Sequence, residues 1–179
     1  MPLYEFEGKR PVIPESCFIH PQAVIIGDVV LGEKCFVGAG AVIRGDYGGV
    51  VIGNGCNVQE NCLIHSEPET IALLEENVLI GHSAVVHGPC LIKSNTTVGM
   101  LALVSSGCEL GCNSLLAAGS ILPPGRIIPD RKVAMGNPAK AVKDVTDYMV
   151  MYNQVAVQLY QDLTVRCKVG LKLIEDENR

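Results

Sequence analysis

The chain contains no tryptophan, only three phenylalanines and only five tyrosines, so aromatic residues make up 4% of its 179 positions. A core this poor in rings must be tiled from Val, Ile, Leu, Ala and Cys, which suits a narrow, regular interior. A basic excess is missing as well. Fourteen Lys and Arg stand against nineteen Asp and Glu, a net charge of −5, leaving no electrostatic footprint for nucleic acid or an anionic membrane. No apolar run approaches the ~20 residues of a membrane span. The opening Met1-Pro2-Leu3-Tyr4-Glu5-Phe6-Glu7 has no signal-peptide layout. These absences predict a soluble, intracellular, cytoplasmic protein with neither nucleic acid nor membrane as partner. Without a secretory context, eight cysteines read as reduced interior residues and not as a disulfide framework.

What the sequence does have is a period of six. Aliphatic anchors fall at Ile13, Ile19, Ile25, Leu31, Val37 and Ile43, and again at Ile52, Val58 and Ile64. They then run unbroken from Leu74 through Ile80, Val86, Ile92, Val98, Val104, Leu110, Leu116 and Leu122 to Ile128. Four places after most anchors stands a small residue, for example Ala23, Cys35, Ala41, Cys56, Ala84 and Cys90. Such a repeat is the signature of a hexapeptide β-helix. Each hexad makes one short strand, three hexads close a triangular coil, and anchors stack on their counterparts about 4.8 Å away. The expected fold is an all-β solenoid, a left-handed parallel β-helix of about six triangular coils. Its small-residue slot stacks Cys17, Cys35 and Cys56 in one interior ladder, and Cys90 with Cys108 in another.

Two breaks in register, at Gly48-Gly49-Val50 and Glu69-Thr70-Ile71-Ala72, read as loops pushed out at corners, where solenoids often carry function. The β-helix is expected over 1–138, with the C-terminal helix and tail over 139–179 in the same domain. Gly136-Asn137-Pro138-Ala139 is the exit, and a helix is predicted over 144–167. Its apolar stripe Val145, Tyr148, Tyr152, Val155, Leu159 and Leu163 is expected to lie along the prism. The tail Glu175-Asp176-Glu177-Asn178-Arg179 is expected to fray.

Sorting the anchors by coil gives three faces: the first through Ile13 and Ile52, the second through Ile19 and Val58, the third through Ile25 and Ile64. Arg44, His65 and His87 each follow a third-face anchor by one residue, so they stack in successive coils and point outward. Two imidazoles one rung apart can converge on a divalent ion; Zn2+ suits them first, Fe2+ or Co2+ also. His82 follows a second-face anchor by two and diverges around a corner. A rotationally symmetric homotrimer resolves this, because the third face of one prism then meets the second face of its neighbour. His82 of one chain completes the set of His65 and His87 from the next. Three His ligands with an open position form the catalytic pattern, bringing the pKa of a bound water towards ~7.

The other polar residues leave alternatives open. Arg44 and Asp46 could act in chemistry or form an ion pair across an interface. Gln59 could orient a water from across the interface or pair with backbone. Glu67 and Glu69, beside His65, read first as a solvated acidic corner.

The segments Ile43-Arg44-Gly45-Asp46, Ile52-Gly53, Asn57-Val58-Gln59-Glu60, His65 and Gly81-His82-Ser83-Ala84-Val85-Val86-His87-Gly88 together resemble the γ-class carbonic anhydrase family. The likeness is nearest to its bacterial relatives encoded with phenylacetate degradation and carnitine metabolism, and runs from Pro2 to about Leu173. The resemblance implies a left-handed β-helical trimer that reversibly hydrates CO2 to bicarbonate with metal-bound hydroxide. Carried onto this chain, it implies metal ligation by His65, His82 and His87 and a hydroxide held by Gln59. It also implies Arg44 paired with Asp46 near bicarbonate, and Tyr160 hydrogen-bonding in the pocket. The archetype has Glu where this chain has Tyr47, and a proton-shuttling Glu where Pro68 stands, flanked by Glu67 and Glu69. Glu67 is therefore the candidate for that carboxylate. Position 60 is Glu where Asp is usual. The alternatives carried forward are a metal-dependent CoA-thioester hydrolase, a catalytically weak trimeric scaffold stapled by metal, and a CoA acyltransferase using a His base without metal.

Overall fold

A computed structural model describes residues 3–174, which places the acidic tail outside the described residues. The chain winds as a left-handed parallel β-helix whose strands stack into three flat faces. Six coils are complete, and partial turns at both ends bring each face to seven rungs. Leu3–Tyr4 extends the third face, Val12 begins the first, and Lys132–Gly136 closes the second.

Register is what the period requires. Ile25 pairs with Ile43, Ile43 with Ile64, Val86 with both Ile64 and Val104, and Val104 with Leu122. These anchors are completely or almost completely buried and form a single interior column with the small residues between them. A strand residue alternates between inside and outside, so the residue on either side of each anchor faces out.

The two insertions differ. At Gly48-Gly49-Val50 the extra residues stay within the strand Val42–Ile52 as a bulge: residues 46–49 stand opposite Asp28 alone in Val24–Leu31, between the pairs Gly27–Gly45 and Val29–Val50. The corner is tight: a Cβ on Gly45 would collide with the Asp28 backbone carbonyl. The second insertion is a true turn, in which the Thr70 hydroxyl donates to the Glu67 carbonyl at 2.7 Å. Ser66 and Thr70 hydroxyls meet at 2.8 Å.

The exit also departs from expectation. Gly136-Asn137-Pro138-Ala139 leads into a strand, not a helix. Ala139–Asp144 folds back antiparallel on Lys132–Gly136, extending the sheet beyond residue 138. Lys132 pairs with Asp144, and the Val145 amide donates to the Arg131 carbonyl, which holds these residues out of the helix. The helix is therefore Asp147–Gly170, beginning three residues later than predicted. Thr146 caps it, its hydroxyl accepting from the Met149 amide.

The helix packs on the second face with only the two ends of the predicted stripe covered: Val145, just before the helix, is buried and Leu163 half-buried. Tyr148, Tyr152, Val155 and Leu159 are exposed, whereas Val157 and Thr164 are buried and Asn153, Ala156, Tyr160 and Gln161 half-buried. Asn153 donates to the Asn95 carbonyl at 2.8 Å and accepts from the Thr97 hydroxyl at 2.7 Å; Gln161 reaches Asn77 at 3.4 Å. These polar groups at the rung corners need partners once covered, and satisfying them fixes the rotation of the helix.

All eight cysteines are free thiols; six are buried, five of them the members of the expected ladders and the sixth Cys62, and Cys112 and Cys167 are half-buried instead of core. Burial pushes the Cys56 and Cys90 thiols up to about 12 and that of Cys62 to about 11. A thiol reagent at pH 8 is expected to consume Cys112 and Cys167 in the native protein. Mass mapping should find Cys56, Cys62 and Cys90 labelled only after denaturant is added. Labelling of those three at the rate of Cys112 would contradict the buried ladder.

Candidate metal centre

The third face carries the stack foreseen from the period: Arg44 is the rung partner of His65, and His65 of His87. The two imidazoles lie with ring centroids 5.5 Å apart at 69°. Asp46 holds the arrangement from the rung below. Arg44 and Asp46 are two apart in one strand, so they share a face, and Arg44 Nη1 donates to Asp46 Oδ2 at 2.6 Å. The other carboxylate oxygen lies 3.0 Å from His65 Nε2 and accepts from the Tyr47 amide at 3.1 Å. A carboxylate can only accept, so His65 donates through Nε2 and keeps its lone pair on Nδ1.

Electrostatics favour a neutral ring. Burial lowers the pKa of His65, the Arg44 guanidinium lowers it further, and Asp46 only partly offsets them. Burial works to raise the Asp46 carboxyl, yet Arg44 and the Tyr47 amide outweigh it and hold the group below its ordinary value. Neutral imidazole is the form that binds a cation. The Tyr47 ring meets His65 edge-on, with centroids 6.1 Å apart.

His82 sits around the corner, as expected, with Nδ1 2.6 Å from Glu60 Oε2. Among the described residues, no three His, Cys, Asp or Glu side chains come together to hold an ion within one chain. His65 and His87 face one way and His82 another, so the donor set fits a divalent cation only if two protomers share it.

Gln59 takes the backbone partner that the sequence left open. Its Oε1 accepts from the His82 amide at 3.1 Å and its Nε2 donates to Asn57 Oδ1 at 3.2 Å, which leaves one amide hydrogen uncommitted. Asn57 was not singled out from sequence; completely buried beside Gln59, it fixes that amide and leaves its own Nδ2 without a partner. Position 57 is two before Gln59, and the period-two rule for one strand face was the available signal. Tyr160 packs on Phe36 with ring centroids 5.2 Å apart, and burial first, then the Glu60 charge, raises its hydroxyl pKa. Gln59, His82, Met100, Tyr148, Tyr152 and Tyr160 line an apolar groove of about 550 Å3 between the helix and the second face. Glu67 lies at the other end of the site, where Ser106, also missed from sequence, donates to its carboxylate at 2.6 Å.

Fold and site together define a hexapeptide-repeat β-helical protein with half-buried histidines on the outside of two of its faces. Residues 10–45 match the family model "Bacterial transferase hexapeptide (six repeats)". The carnitine operon protein CaiE of Proteus sp. (strain LE138) is 39% identical over 96% of this chain and 86% of its own length. CaiE of Escherichia coli (strain K12 / DH10B) is 40% identical over 96% of this chain and 87% of its own. The crystal structure of a hexapeptide transferase family protein from Anaplasma phagocytophilum superposes with a TM-score of 0.87 at 33% identity, covering 92% of this chain and 96% of that one. The chain belongs to the CaiE family of hexapeptide-repeat proteins. No helix among the described residues is long and apolar enough to cross a membrane.

Proposed function

We propose that this protein is a metal-dependent hydratase of the γ-class carbonic anhydrase type, acting on CO2 and bicarbonate at the interfaces of a homotrimer. The observation that carries the reading is the pairing of His65 with His87 on adjacent rungs, 5.5 Å apart, with the third imidazole turned away on another face. His65 and His87 of one protomer and His82 of a neighbour would hold a divalent ion, Zn2+ first and Fe2+ or Co2+ as alternatives. Such an ion supplies Lewis acidity, bringing the pKa of a coordinated water towards about 7.

The chain's own residues do the remaining work in this reading. Asp46 fixes the His65 ring and aims the Arg44 cation, which offers an anion contact for bicarbonate. Gln59, locked by Asn57 and the His82 amide, has one amide hydrogen left to orient a reacting oxygen. Tyr160 closes the wall beside it. No carboxylate stands at position 47, so proton release to buffer is expected to limit turnover.

A second reading is favoured by the groove. At about 550 Å3 it falls among sites for drug-sized ligands and far exceeds what a triatomic gas requires. A CoA thioester laid along Tyr148 and Met100 would bring its carbonyl to the same residues. One experiment decides between them. Protein purified anaerobically and reconstituted with Zn2+ or Fe2+ is assayed by stopped flow for CO2 hydration and, separately, for release of CoA thiol from acyl-CoA. Hydration above the metal-free background, lost with a chelator and restored by metal, is the expected result. Thiol release without hydration would select the hydrolase, and neither activity in a metal-loaded trimer would leave only the scaffold.

A further inference from the structure

Glu67, Ser106 and His87 form a chain of contacts across neighbouring rungs of the third face. The Ser106 hydroxyl donates to Glu67 Oε1 at 2.6 Å and lies 3.4 Å from His87 Nδ1. Glu67 does not swing freely. Its carbonyl accepts from Thr70, and its amide donates to the Gly88 carbonyl at 3.2 Å, immediately after His87. The turn created by the second insertion is thus pinned over the next rung, with the carboxylate aimed at Ser106.

Proton counting then settles the direction of each contact. A hydroxyl has one proton to give, and a carboxylate can only accept. With that proton committed to Glu67, Ser106 meets His87 only as an acceptor, so the imidazole must donate through Nδ1–H. The ring's lone pair is confined to Nε2. We propose that Ser106, held by Glu67, is the positioning residue that sets His87 in its Nδ1–H tautomer and so presents Nε2 to the cation. The inference rests on the reading of His87 as a ligand. It also gives Glu67 a different part from the one expected of it: this carboxylate acts through Ser106 by orienting a hydroxyl. Metal-binding histidines commonly have their second nitrogen tied in this manner, and loss of the tie typically costs 10–100-fold in affinity.

The test uses 15N-histidine-labelled, metal-free protein at pH 8, together with Ser106→Ala and Ser106→Thr. Long-range 15N–1H spectra report which ring nitrogen of His87 carries the proton, and competition with a chromophoric chelator reports affinity for Zn2+ alone. Wild type is expected to show Nδ1–H. Ser106→Ala should shift His87 towards the Nε2–H form and weaken Zn2+ binding by 10–100-fold, while Ser106→Thr restores both. An Nε2–H ring in the wild type overturns the proposal whatever the metal does. So does a Ser106→Ala variant with unchanged tautomer and unchanged affinity. Should the tautomer shift as expected in a protein that takes up no Zn2+, the positioning of His87 is upheld and the proposed function is what fails.

Discussion

Replacing His82 by Ala is expected to lower Zn2+ affinity by a factor on the order of 100 or more, although this residue faces away from His65 and His87 within its own chain. The cause is geometric. Two imidazoles from one face leave a small ion half-coordinated, and only a symmetry-related chain can bring in the third. The same geometry predicts complementation. His82→Ala and His65→Ala homotrimers should each be nearly metal-free. Unfolded together in equal amounts and refolded, they form mixed trimers in which an intact His82 meets an intact His65 at about one interface in four. Zinc content and CO2 hydration should therefore return to roughly a quarter of the wild-type value. Mixed trimers, verified by mass, that stay empty would remove the shared centre from consideration. Metal content unaffected by His82→Ala would do so more directly.

Ile64→Ala should cost about 2–5 kcal/mol of stability. Ile64 is completely buried, flanked by Ile43 on one rung and Val86 on the next. In a solenoid each rung is supported chiefly by its neighbours, so the cavity has few other contacts to relax into. These three anchors also precede Arg44, His65 and His87, and the damage should concentrate where the imidazoles stack. Urea unfolding is expected to show a lower midpoint with little change in slope, and Zn2+ affinity should drop with it. Val12→Ala, at a position 59% exposed on the first face, is the control and should alter stability by less than about 0.5 kcal/mol. Equal effects from the two would mean that the interior column is not the source of stability.

The two predictions differ in how much of their basis is visible before folding. The column through Ile43, Ile64 and Val86 is a matter of counting, because an inward residue must recur at a fixed interval for coils to stack. Arg44, His65 and His87 follow from it by one step along the strand, and their rung pairing is as the count requires. Less visible was the network around them. Asp46 bridging Arg44 to His65, Asn57 locking Gln59, and Ser106 reaching Glu67 join residues from 2 to 39 positions apart. Only the side-chain directions at each corner decide such pairs.

The sequence by itself determined the β-helix, its three faces and the outward stack of basic residues, since these depend on a local period repeated along the chain. The tertiary structure alone decided how the C-terminal segment closes the prism. Hydrophobic spacing chose Val145, Tyr148, Tyr152, Val155, Leu159 and Leu163 as the stripe against the prism. Val145 and Leu163 are covered, yet the four between them are exposed and the helix turns Asn153, Val157 and Gln161 inward. Apolar spacing says which face would gain from burial, but not what the opposing surface demands. Here that surface offers the carbonyl of Asn95, the amide oxygen of Asn77 and the hydroxyl of Thr97, and a covered polar group left without a partner costs about as much as a side chain's burial gains.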